Sequence, residues 1–217
     1  MTAKYSDRYT LVMNVTPEAA STKRGGRGAR ERILKATVEL FARDGIHATG
    51  VAKVTEVAQV STRTLYQHFP SKEALISAYL ERLESDPDGP AEIETVLTRD
   101  DLPPRDRLIA LFSAPADPAG PVLRGCPFHN TAVEAAGGMP EAAAFVERHK
   151  RELTASLIAT AQAAGAGDPE ELGRRLAVLF EGARALATSL NDPQPFDDAG
   201  ALAVALIDNA IGATSPA

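Results

Sequence analysis

The sequence predicts an all-α protein, on three observations. Aromatic residues are only 5% of the 217, with no Trp, while Ala and Leu are plentiful, a balance that favours helices over strands. Apolar residues recur at three- and four-residue spacing along most of the chain. No segment alternates in the two-residue rhythm of a half-buried strand, and no fixed-period repeat is present. The expected architecture is about nine helices: an N-terminal three-helix unit, then a larger helical domain. A hydrophobic share of 44% and a charged share of 24% suit a globular chain with a real core.

Residues 1–26 show no period and end in Ser21-Thr22-Lys23-Arg24-Gly25-Gly26, which reads as a flexible basic tail. From Arg27 the pattern turns helical, with Ile33, Leu34, Thr37, Leu40 and Phe41 on one face and Gly45 as the stop after Asp44. A second helix spans about Val51 to Ala58, with Val51, Val54, Val57 and Ala58 expected inward. After a break at Gln59-Val60, Ser61 sits where an N-cap belongs, opening a third short helix through Thr64, Leu65 and His68. Phe69-Pro70 ends it, because a residue before proline is pushed out of the α region. Ser71-Lys72-Glu73-Ala74 opens a fourth helix that runs to about Glu84.

The stretch Ser85–Pro104, with four prolines and six acidic residues, is expected to be a linker or loose crossover. A helix from Arg105 to about Ser113 follows, then a Pro- and Gly-rich loop to Gly120. Helical segments come next at roughly Cys126–Ala136 and Pro140–Ala164. Gly165-Ala166-Gly167 breaks the second, and Asp168-Pro169 supplies an N-cap with Pro in the first turn. The helix opened there carries Leu172, Leu176, Leu179, Phe180, Ala183, Leu186, Ala187 and Leu190, and a last helix covers about Pro195 to Ile211.

The net charge of −6 conceals a split. Residues 1–83 hold 13 Lys and Arg against 8 Asp and Glu, a net of +5; residues 84–217 hold 10 against 21, a net of −11. Such asymmetry suggests a basic module that meets a polyanion, joined to an acidic module with another task. Two differently solvated faces of one domain explain the charge equally well. The single Cys126 excludes an internal disulfide and an all-Cys zinc site. No apolar run is long enough to span a membrane, and Met1–Ser21 lacks the apolar core of a secretory signal, so no membrane partner and a cytoplasmic location are expected.

Two short helices joined by a tight break, inside an N-terminal three-helix unit, have the layout of a helix-turn-helix. The string Val60-Ser-Thr-Arg-Thr-Leu-Tyr-Gln-His-Phe-Pro-Ser-Lys-Glu-Ala-Leu75 closely resembles the signature of the TetR family of transcriptional regulators. Ile33-Leu-Lys-Ala-Thr-Val-Glu-Leu-Phe-Ala-Arg-Asp-Gly45 resembles that family's first helix. The resemblance is strong over residues 27–84; beyond them only the helix count and Gly125-Cys126-Pro127-Phe128 are similar. It implies a helix-turn-helix DNA-binding domain at 27–84 and a ligand-binding and dimerisation domain at 85–217. The implied partners are a double-stranded DNA operator, a small-molecule effector and a second copy of the chain, with repression the favoured mode.

Ser61 caps the third helix, whose first turn, Thr62, Arg63 and Thr64, is the part of a recognition helix that reaches base edges. Arg63 suits bidentate contact to guanine, and Gln67, one turn on, suits adenine or a phosphate. Plain solvated surface competes with both readings. By similarity to the family, Tyr66, His68 and Lys72 are backbone contacts that fix register. The tail cations Lys23, Arg24, Arg27 and Arg30 suit either a groove-following arm or a solvated end. Three positions depart from the family pattern. Gln59 stands where Gly is usual in the turn, Thr55 replaces the usual Ala, and Gly50 replaces a hydroxyl N-cap, with Thr49 the substitute phosphate contact.

From Ala199 to Ala210 the last helix is apolar nearly all round, so it needs cover on most sides, and a partner subunit is the economical cover. With the preceding helix it is expected to form a four-helix bundle in a dimer, an interface drawn from Leu172, Leu176, Leu179, Phe180, Ala183, Leu186, Leu202, Leu206 and Ala210; a buried core helix in a monomer is the alternative. The middle helices then enclose an effector cavity lined by Leu108, Leu111, Phe112, Phe128, Phe145, Leu153 and Leu157, with Thr131, Glu134 and His149 as polar anchors. Core packing accounts for the apolar positions equally well. Cys126 with His129 or His149 lacks a third orienting group, and no phosphate loop, metal-spaced cluster or dinucleotide fingerprint is present. No enzyme activity, metal or cofactor is therefore expected. A helical protein-binding adaptor is the alternative, and it has no need of a basic N-terminal half.

Overall fold

The computed structural model describes residues 28–86, 95–112, 125–136 and 138–212. Among them are nine α-helices and no strand: α1 (Ala29–Asp44), α2 (Val51–Val57), α3 (Thr62–His68), α4 (Lys72–Ser85), α5 (Pro104–Phe112), α6 (Pro127–Ala135), α7 (Pro140–Ala163), α8 (Pro169–Leu190) and α9 (Gln194–Gly212). The basic tail and the Pro- and Gly-rich loop after α5 lie outside the described residues.

Helix ends fall where local chemistry demands. Ser61, Ser71 and Asp168 each accept the N–H three residues on, at 3.0, 3.0 and 2.8 Å, satisfying donors that have no helical partner. At the end of α1 the Gly45 N–H returns to the Phe41 carbonyl.

Apolar side chains separate into three packed clusters. The first joins α1–α4 through Ile33, Leu40, Val54, Leu65, Phe69 and Leu75. The second lies between α1, α4, α6 and α7 and contains Phe41, Ile46, Tyr79, Leu83, Phe128 and Phe145. The third joins α5, α7, α8 and α9 around Leu108, Phe112, Leu157, Leu176, Phe180 and Ile207. There Phe112 meets Phe180 edge-to-face at 5.8 Å, and Arg105 of α5 holds Asp208 of α9 at 2.6 Å. α7 packs tightly on α8: a Cβ at Gly173 would lie 2.8 Å from the Ile158 backbone nitrogen, so only glycine fits.

Several expectations are corrected. Val57 points outward and is 39% exposed, while Thr55 is turned in. The Thr55 hydroxyl donates to the Ala52 carbonyl at 2.9 Å, so the departure at Thr55 is packed and satisfied. The linker does not run loose to Pro104: a 3-10 turn at Val96–Thr98 buries Leu97 in the third cluster. Residues 87–94 lie outside the described ones.

Candidate nucleic-acid interface

α2 and α3 are seven residues each, too short to stand alone; the core of α1 and α4 holds them through Val54, Ala58, Leu65 and Phe69. The turn between them closes with the Gln59 N–H on the Glu56 carbonyl (3.2 Å) and the Val60 N–H on the Thr55 carbonyl (3.0 Å). That is a Schellman ending, and it places Gln59 at φ 52, the left-handed region that glycine enters most easily. The glutamine therefore takes the same backbone shape a glycine would. Gly50 caps α2 with extended backbone and no side-chain bond.

With Leu65 buried, α3 turns Thr62, Arg63, Tyr66 and Gln67 outward on a continuous edge. Tyr66 is 47% exposed, high for a residue whose ring has apolar surface to hide. Thr64 is half-buried and shares a hydrogen bond with Ser61 at 2.8 Å, so both hydroxyls serve the cap. His68 is half-buried at the end of α3, its ring 6.5 Å from that of Phe69. On the neighbouring face the Arg30 guanidinium lies 5.3 Å over the Phe69 ring.

Two predicted contacts are turned elsewhere. Thr49 is 2% exposed, and its hydroxyl donates to the Gly45 carbonyl at 2.7 Å, so it does not substitute for the missing N-cap hydroxyl. Lys72 sends its ammonium inward to the Ile46 carbonyl at 2.6 Å. Burial holds that amine below its usual range, against the opposing pull of Glu134.

The ten residues expected to line an effector cavity divide between two packed clusters. Leu108, Leu111, Phe112, Leu153 and Leu157 belong to the third cluster, and Phe128 and Phe145 to the second. Thr131 donates to the Pro127 carbonyl of its own helix at 2.8 Å. His149 stacks on Phe128 with ring centroids 3.8 Å apart and lies 3.2 Å from the Glu84 carboxylate of α4. Glu134 faces the α1–α2 loop. A shallow groove on the outer side of α7, lined by Ala144, Glu147, Arg148, Arg151, Glu152 and Ala155, includes none of the ten.

The expected dimer residues also divide. Leu172, Leu176, Phe180 and Ala183 are buried in the protomer's own third cluster, with Leu179, Leu206 and Ala210 packed at its border, so these cannot all face a partner. Leu186 (55% exposed) and Leu202 (57%) do point outward. With them are Val178 (74%) and Leu190 (63%), which the sequence reading left out of the interface. The signal was available: Val178, Gly182, Leu186 and Leu190 recur every four residues, a second apolar stripe offset from the buried one.

The family model for bacterial regulatory proteins of the tetR family matches residues 33–79, and that for the tetracyclin repressor-like C-terminal domain matches residues 104–202, together more than half of the chain. The HTH-type transcriptional regulator UidR of Escherichia coli K12 is 43% identical over 51 residues, 24% of this chain and 26% of that one. The HTH-type transcriptional repressor KstR2 of Rhodococcus jostii is 35% identical over 66 residues, 30% of this chain and 32% of that one. The chain thus spans about a quarter to a third of these relatives' length. Among solved structures, the TetR-family regulator SCO4454 of Streptomyces coelicolor superposes with a TM-score of 0.73 at 27% identity, covering 85% of this chain and 97% of that one.

Proposed function

The chain belongs to the TetR family of bacterial regulatory proteins, and on that footing we propose that it is a cytoplasmic, ligand-responsive repressor that binds a palindromic operator as a homodimer and is released by a small molecule. The family sets it among DNA-binding regulators rather than enzymes. No helix among the described residues is long and apolar enough to cross a membrane.

The observation that carries the proposal is the outward edge of α3, where Thr62, Arg63, Tyr66 and Gln67 stand clear of the core on a helix that Ser61 caps at the Thr64 N–H. Residues 27–84 form the DNA-binding domain and 85–217 the ligand and dimer domain. Arg63 reads a guanine and Tyr66 holds a phosphate. The exposed stripe Val178, Leu186 and Leu190 on α8 and Leu202 on α9 meets its copy across a two-fold axis as a four-helix bundle. Two-fold symmetry sets the recognition helices on half-sites about 34–36 Å apart or a multiple of that. An effector bound within residues 100–190 favours a spacing that no longer matches, and its differential affinity for the two states sets the loss of DNA binding.

The test is selection of bound fragments from sheared genomic DNA of the source organism at two salt concentrations. One or a few palindromic sites, bound less tightly as salt rises, are expected. Arg63→Ala should relax preference at a single base pair, whereas Tyr66→Phe should weaken all sequences alike. Failure to recover any DNA at low salt would overturn the proposal and leave the protein-binding adaptor.

A further inference from the structure

The α1–α2 loop is held from both sides of one peptide segment. Glu134, on α6, accepts the Ile46 N–H at 3.1 Å and the His47 N–H at 2.6 Å, and the His47 ring nitrogen Nδ1 lies 3.1 Å from the same carboxylate. From α4, Lys72 Nζ donates to the Ile46 carbonyl at 2.6 Å. The Ile46 side chain is buried in the cluster between the two halves. The Thr49 hydroxyl, on the Gly45 carbonyl, ties this loop to the residue before the α2 cap. Helices α1, α2, α4 and α6 therefore meet on five residues, 45–49.

The chemistry requires a carboxylate. Two backbone N–H groups and an imidazole nitrogen converge there, and a carboxylate offers about four acceptor sites where a glutamine offers one oxygen and turns an NH2 toward a donor. Burial alone pushes the Glu134 carboxyl up; the His47 and Ile46 N–H groups and the His47 side chain outweigh it and hold the group below its ordinary range. Elsewhere the halves are joined helix to helix along α4 and α7: Glu73 accepts the Glu141 N–H at 2.9 Å, and Glu84 lies beside Arg148 (3.3 Å) and His149 (3.2 Å). Those contacts reach α4. The Glu134 contact reaches the loop that leads into α2.

We propose that Glu134 is the positioning residue through which α6 sets the α2–α3 unit: a displacement of α6 pulls the 45–49 loop, and the loop carries α2 and, through the Gln59 turn, α3. This rests on the reading of α3 as the DNA-facing helix, and it names where that reading's control enters. The experiment is hydrogen exchange on the full-length chain without DNA, comparing wild type, Glu134→Asp and Glu134→Gln. The expected result for Glu134→Gln is amide exchange at least about tenfold faster through 46–69, with peptides from α8 and α9 unchanged, since the charge-assisted bonds that restrain the loop are lost. Glu134→Asp keeps both carboxylate oxygens and should recover most of the protection. Faster exchange confined to residues 46–48 would overturn the proposal, making Glu134 a local loop cap. Faster exchange everywhere, α8 and α9 included, would overturn it equally, making Glu134 a general stability residue. Because no DNA is used, failure of the wild type to select an operator would sink the DNA-binding reading without altering this result.

Discussion

The turn between α2 and α3 gives a prediction whose size follows from its geometry. Among the described residues the same Schellman ending occurs three times, after α2, α7 and α8, each with a bond from the residue beyond the turn back five positions: Val60 to Thr55, Ala166 to Ala161 and Asp192 to Ala187, at 3.0–3.1 Å. The left-handed position is Gly165 at φ 80, Asn191 at φ 51 and Gln59 at φ 52. Glycine enters that region freely and asparagine tolerates it, but glutamine costs about 1 kcal/mol. Gln59 is exposed, so its side chain has no buried contact to lose. Gln59→Gly removes the strain and returns about 0.5 kcal/mol through the freer unfolded chain, leaving a net gain of about 0.5 kcal/mol. For a chain of this size that raises Tm by about 1–2 °C. Gln59→Val adds a β-branched side chain in the same conformation, costing about a further 1 kcal/mol and lowering Tm by about 2–4 °C. Calorimetry and urea titration on both variants should separate them by about 1.5 kcal/mol, with Gln59→Asn near the glycine variant. A valine variant as stable as the glycine one would refute the argument, because the turn would then not hold residue 59 in the left-handed region.

Three further outcomes are expected. Leu186→Glu or Leu202→Glu should weaken the proposed dimer by at least about 30-fold in sedimentation, since covering the exposed half of each leucine is worth about 1 kcal/mol and a two-fold axis counts it twice. Gly173→Ala should lower Tm by roughly 4–8 °C, because the new Cβ forces α7 and α8 apart at a backbone contact. The stability advantage of wild type over Glu134→Gln should be full near neutral pH and shrink as pH falls below about 4.5. The sign follows from a carboxyl held lower in the folded chain than in the unfolded one: its contribution is present above the unfolded value and lost as pH falls through the folded one. His47, Lys72 and Tyr79 are the titratable groups around it. Urea titrations at pH 7 and pH 4 measure the difference.

Helix order, caps and the outward edge of α3 were legible in the sequence because they are local. Ser61, Ser71 and Asp168 cap through the N–H three residues on, and Leu65 and Phe69 point inward by helical spacing. Direction over longer range was not legible. Thr49 and Glu134 from their chemistry, and Lys72 by similarity to the family, were expected to contact phosphate or effector, and their polar groups are used instead on backbone groups of the 45–47 loop. Nothing within a few residues of Glu134 indicates that Ile46 and His47, 88 and 87 positions away, supply its donors.

The α8 helix shows the same division. Its sequence contains two apolar stripes offset from one another, and periodicity alone does not say which of them is core. Only packing against α7 and α9 separates Leu172, Leu176 and Phe180, buried at home, from Val178, Leu186 and Leu190, left outside. The sequence by itself determined where the α-helices start and stop to within a residue or two, and which residue types α3 presents. The tertiary structure decided which apolar stripe is core and which carboxylate joins the two halves. The physical reason is range: caps and helical faces are settled within one or two turns of chain, whereas burial and charge pairing depend on neighbours that only folding brings together.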